Sequence, residues 1–329
     1  MIQKLGAVLL ALMVAFSAWL LVRTQQRAAA IHAPETTAPT VDHSLLEETR
    51  PEEAPTVQAE TESPVLTELS PSAQRVREKL DLNAMTETVS ARYVYVPELN
   101  AVDSTVGAAK NGYGQGLAEL GAVLRVNPIA AFWQIVSAGV YEKTPDQSGV
   151  LASASLPAPQ QAAKSYTYTQ EGVRQLLTDL LTLAGQMGDG LDLEAALGAV
   201  TDSDVHASDR EGCYYAYFTC GGDRSSHILC FYLRPDKSGK QIADVEFQLL
   251  NLTAAIGNPE ILASLDRRGT NQAASLMAAA ELLMTGESRA AEGKIPFTYG
   301  FGGCHATIQR FAFQSDGEWG ELINYRVKK

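Results

Sequence analysis

The spacing of hydrophobic and polar residues changes character three times along the 329 residues. Residues 5–22, from Leu5 to Val22, form an apolar run with no charge inside it. As a helix this run would rise about 27 Å, close to the hydrocarbon thickness of a bilayer. It predicts a membrane-spanning helix, and residues 1–27 are read as an N-terminal anchor. The run exceeds the roughly 7–15 apolar residues of a cleaved signal sequence. Small residues at Ala28 and Ala30 leave secretion after cleavage near Ala30 as the alternative. The flanking charges, Lys4 against Arg23 and Arg27, nearly tie under the positive-inside rule.

Periodicity then vanishes. Residues 28–72 hold six prolines and no aromatic residue. They carry nine acids (Glu35, Asp42, Glu47, Glu48, Glu52, Glu53, Glu60, Glu62 and Glu68) against the single Arg50. Such a segment buries too little apolar surface to offset its chain entropy, so a disordered acidic stem is expected.

From residue 73 the pattern is that of a folded domain. Ser70-Pro71 reads as a helix start, with proline at the first position. Arg92–Pro97 reads as a short strand ending at proline. Residues 115–140 read as two helices, broken at Asn127-Pro128. After Thr169, Val173, Leu176, Leu177, Leu180 and Leu181 trace the stripe of a core-facing helix. Asp192–Val200 reads as a further short helix. The period then switches to two, predicting strands at Cys213–Cys220, His227–Leu233 and Ile242–Leu250. Two helices are expected next, from Asn258-Pro259 to near Gly269 and from Thr270 to Gly286. A strand pair, Thr307–Gln314 and Trp319–Val327, closes the chain. Strands and helices in runs predict an α+β fold with an antiparallel sheet, built on hairpins at 213–250 and 307–327 and packed with helices. The Pro-, Ser- and Ala-rich connector Ser148–Lys164 is a possible internal boundary of the 73–329 domain.

The chain carries a net charge of −12, most of it in the stem. No basic stripe is present, so nucleic acid is excluded as a partner. The expected partners are the membrane, through the N-terminal helix, and an envelope protein or glycan.

Four cysteines suggest two disulfides in an oxidising compartment. Cys213 and Cys220 on one strand stand roughly 23 Å apart, too far to bond. Cys220 and Cys230 flank a turn and are the expected pair, leaving Cys213 for Cys304. The alternative role for Cys304 is a nucleophile, since Gly300-Phe-Gly-Gly-Cys-His305 sets an imidazole beside a thiol. His305 would point to the opposite strand face, so His227 or His206 would have to approach through the fold. Tyr214, Tyr215, Tyr217, Phe218, Phe231 and Tyr232 crowd one hairpin. They form either a stacking surface for sugar or peptide or a packed core.

Two weaker patterns add nothing. Asn111–Gly116 matches no phosphate-loop spacing. Asp189, Asp192, Asp202, Asp204, His206 and Asp209 fit no calcium-loop frame, so no metal and no cofactor is expected. The sequence therefore predicts a membrane-tethered extracytoplasmic domain that binds or assembles in the cell envelope. The rival is an envelope hydrolase or transferase using Cys304 and a histidine base.

Overall fold

In a computed structural model of the protein, the described residues are 69–85, 92–95, 113–187, 197–208, 212–221, 225–254, 259–315 and 318–329. The proposed membrane helix and nearly all of the stem lie outside them. So do the expected helix at Asp192–Val200, save its last residues, and Asp189, Asp192 and Asp209. No described helix is long and apolar enough to cross a membrane.

Residues Pro64–Lys329 belong to one compact unit. It is a mixed α+β domain around a mostly antiparallel sheet. The strands are β1 (Arg92–Tyr95), β2 (Glu142–Pro145), β3 (Val150–Ala152), β4 (His206–Ser208), β5 (Cys213–Gly221), β6 (Ser225–Pro235), β7 (Ile242–Ala254), β8 (Lys294–Pro296), β9 (Thr298–Phe301), β10 (Cys304–Ser315) and β11 (Glu318–Lys328). The main sheet runs β1-β5-β6-β7-β11-β10-β2, with β4 also paired to β5 and β9 to β10. Only β1 and β5 run parallel within it. β3 and β8 form a separate ribbon.

Helices cover both faces. The helices are α1 (Pro71–Arg77), α2 (Tyr113–Leu124), α3 (Pro128–Ser137), α4 (Gln170–Met187) and α5 (Pro259–Thr285). Alternation along β7 assigns its side chains: Val245, Phe247 and Leu249 join the core beneath α4 and α5, while Leu250 and Leu252 join the core beneath α1–α3. The stripe of α4 from Val173 to Ala184 is buried in the first of these cores. Local chemistry sets the helix starts. Ser70 Oγ accepts the Ala73 N–H, and Asn127 Oδ1 accepts those of Ile129 and Ala130, each ahead of a proline at the first helical turn.

One expectation changes. α5 is one continuous helix through Gly269, not two. Gly269 lies against the sheet instead of ending a helix: a Cβ there would sit 2.7 Å from Asn251 Nδ2. The connector Ser148–Lys164 is laid across the domain, with the Ser153, Leu156 and Lys164 amides bonded to Gly293, Ala291 and Leu283.

Candidate functional site

Strand register sorts the sheet face beneath α4 and α5 into lateral rows. Leu229, Leu249 and Ile323 make one apolar row, and Phe231, Phe247 and Tyr325 the next. At the other end the rows turn polar. Cys220, His227, Asn251 and Glu321 are successive cross-strand partners on β5, β6, β7 and β11. The adjoining row is Ser225, Thr253 and Trp319. Directly opposed side chains of this kind stand about 4.5–5.5 Å apart at Cβ. Cys220, His227, Asn251, Glu321, Ser225 and Thr253 are all buried. Asn251 Oδ1, Thr253 Oγ1 and both amide atoms of Gln272 make no hydrogen bond. Groups of this kind either stay costly or take up a ligand or water.

The polar rows end at a cleft of about 610 Å³ between β2, β10, β11 and the side of α5. Thr144, Asp146, Thr270, Arg310, Ala312 and Trp319 line it. The Arg310 guanidinium sits between two carboxylates. Its Nη1 donates to Asp146 Oδ2 at 3.2 Å, and its Nε donates to Glu321 Oε1. Thr270 Oγ1 also donates to Glu321 Oε1, at 3.1 Å. Burial alone would raise the Asp146 carboxyl. The amide and hydroxyl of Ser148, with Arg310, instead hold it below its ordinary value. Asp146 and Arg310 thus form an ion pair in the wall of the cleft, with half-buried Trp319 also lining it and buried Glu321 behind the guanidinium.

The residues singled out in the sequence land elsewhere. Cys304 is 5 % exposed, and burial pushes its thiol up. His305 is exposed and, one residue on, points to the opposite face of β10. His227 faces Cys220, not Cys304. Its row meets β10 at Ala312, eight residues from Cys304, so the two are roughly 26 Å apart along the strand direction alone. His206 lies at the opposite edge, on β4. Two further thiols are also disfavoured as thiolates. Burial pushes Cys220 up to about 12 despite Arg92, and Cys230 well above its ordinary value.

The cysteine pairings require correction. All four are free and buried. The hairpin pairs Cys220 with His227 and Cys230 with Tyr217, so Cys220 and Cys230 point to opposite faces. Cys213 and Cys304 also belong to opposite faces, on β5 and β10 with three strands between.

The aromatic hairpin divides in the same way. Tyr215, Tyr217 and Tyr232 are buried beneath α1–α3, while Tyr214 is half-buried on the other face against Tyr168. The Tyr217 and Tyr232 hydroxyls are 2.9 Å apart, and Asn127 Nδ2 donates to Tyr217 at 2.8 Å. These rings pack the interior; alternation rules out one shared outer platform.

Asp204 accepts the Thr201 N–H and pairs with Arg92 at 3.1 Å. Among the described residues no group of three His, Cys, Asp or Glu side chains could hold a metal ion. Gly114 and Gly116 serve close packing. Gly116 abuts the Ser72 carbonyl, and the Gly114 N–H donates to buried Glu318 at 2.8 Å. The cleft residues Asp146, Arg310 and Trp319 went unnoticed in the sequence. Their one signal was polar residues at 251, 253 and 321, where the strand pattern calls for apolar ones.

The chain matches no protein-family model, no curated protein and no solved structure.

Proposed function

We propose that this protein is a membrane-tethered extracytoplasmic binding or assembly module of the cell envelope. The apolar run at residues 5–22 supplies the tether, with the N-terminus in the cytoplasm. The acidic segment 28–72 acts as a disordered stem that holds the domain away from the bilayer. The observation that carries the binding assignment is the contrast between the thiols and the cleft. Every thiol is buried, and among the described residues no imidazole is near enough to Cys304 to act as base: His305 points to the opposite face of β10 and His227 lies far along the sheet. A concavity at the polar end of the sheet gathers an indole, a carboxylate and a guanidinium that also holds buried Glu321. Concave sites with a few convergent polar groups are the usual form of a ligand site.

Cell fractionation tests this assignment on the full-length chain. The protein is expected to pellet with membranes, resist high salt and carbonate, and be digested by protease added outside intact cells. Release by carbonate, protection from external protease, or a mature N-terminus near Ile31 would overturn the tethered assignment.

A further inference from the structure

We propose that Glu318 makes the seating of α1 and α2 on the sheet depend on pH, so that this helix pair loosens as the carboxyl ionises. Glu318 begins β11 and lies on the sheet face beneath α1–α3, as Leu322 does four residues on. It is 3 % exposed. Its Oε1 accepts the Gly114 N–H, in the first turn of α2, at 2.8 Å. Its Oε2 accepts the Tyr141 hydroxyl, just ahead of β2. Both partners are neutral, and among the described residues no cation lies within ion-pair distance of this carboxyl. A carboxylate enclosed in this way is desolvated without a counter-ion. The protonated acid loses far less and can donate to the Tyr141 oxygen in return.

Few charged or titratable groups face Glu318. Arg75 on α1 lies over the Tyr113 ring of α2, 5.5 Å from its centroid, and Tyr113 meets Tyr141 edge-on at 6.2 Å. Glu119, further along α2, turns to α1 and accepts the Ser70 N–H. The strands on either side place Ala254 and Ser315 opposite Glu318, and neither titrates. The Gly114 N–H and Arg75 favour the charged form, but burial outweighs them and raises the carboxyl to about 7. The effect reaches α1 through α2. α2 rests on the sheet at Gly114, where a Cβ would meet Leu252 at 2.7 Å, and on α1 at Gly116, where one would meet the Ser72 carbonyl. The two helices therefore move as a pair, and α1 begins where the acidic segment 28–72 ends.

Opening of the pair exposes the carboxyl and returns it from about 7 to its ordinary value of 4.5. The closed state thus binds more protons, and opening becomes easier as pH rises through this window. Between pH 6 and pH 8 the opening equilibrium rises about tenfold.

Amide hydrogen exchange of the full-length protein in detergent, corrected for the intrinsic pH dependence of exchange, tests this. From pH 6 to pH 8 the amides of α1 and α2 are expected to lose about tenfold in protection, while those of α4 and α5 on the opposite face keep theirs. Glu318→Gln keeps an acceptor for Gly114 and offers a donor to Tyr141. It is expected to show equal protection of α1 and α2 at both pH values. Tyr141→Phe removes one donor but keeps the carboxyl, and it should retain the loss. Constant protection of α1 and α2 in the unaltered protein would overturn the proposal. So would an equal loss in α4 and α5, a loss that persists in Glu318→Gln, or a loss abolished by Tyr141→Phe as well.

Discussion

Glu318 illustrates how a single side chain is caught between two requirements. It sits 3 % exposed under the start of α2, where its Oε1 accepts the Gly114 N–H and its Oε2 the Tyr141 hydroxyl. Burial nonetheless raises its carboxyl to about 7, against the lowering pull of Gly114 and Arg75. The unfolded chain titrates the same group near 4.5. Between these values the folded state binds more protons than the unfolded state, so stability falls as pH rises. The contribution is complete below about pH 4.5 and lost above about pH 7. The difference amounts to about 3 kcal/mol. Glu318→Gln should therefore stabilise the protein at pH 8 by up to that amount and change it little at pH 4.5. Urea midpoints at the two pH values provide the check. An equal effect of the substitution at both would show that Glu318 is not held above its ordinary value.

At the scale of elements, the local signals were readable and the tertiary ones were not. Ser70-Pro71 and Asn127-Pro128 start helices because side-chain oxygens satisfy exposed amides, and this chemistry is complete within four residues. The stripe of α4 and the alternation of β5, β6 and β7 are equally local. Gly269 was misleading for a tertiary reason. It looks like a helix stop, yet it is small so that α5 can approach Asn251 and Glu321. The short strands β2, β3, β8 and β9 carry too few residues to establish a period. The cleft was hidden because Asp146 and Arg310 are 164 residues apart in sequence. The contact between α1 and α2 tests the close-packing role of glycine. An alanine Cβ at Gly116 would lie 2.3 Å from the Ser72 carbonyl oxygen, a backbone atom that cannot turn aside. Overpacking costs about 1–3 kcal/mol, and alanine's better helix propensity returns about 1. A clash with backbone places this site at the upper end of that cost, so Gly116→Ala should lower unfolding stability by about 2 kcal/mol in a denaturant titration. An unchanged or raised midpoint would mean that α1 does not rest on α2 at this point.

At the scale of the whole domain, the described residues place a sheet between helices on both faces. With both faces covered, the aromatic hairpin becomes interior and all four thiols are enclosed. Unpaired thiols no longer support an exported domain, so that assignment rests on residues 5–22 and the acidic stem. Enclosure also explains how free thiols could persist in an oxidising compartment, since oxidation needs an accessible thiolate. The same enclosure sets binding apart from cysteine catalysis. The decisive measurement is alkylation of the native protein with iodoacetamide, mapped by mass spectrometry without reduction. The account predicts that Cys213, Cys220, Cys230 and Cys304 are all unbridged and unmodified until the protein is denatured, when all four react. Rapid labelling of Cys304 alone in the native state would contradict it and favour a cysteine nucleophile.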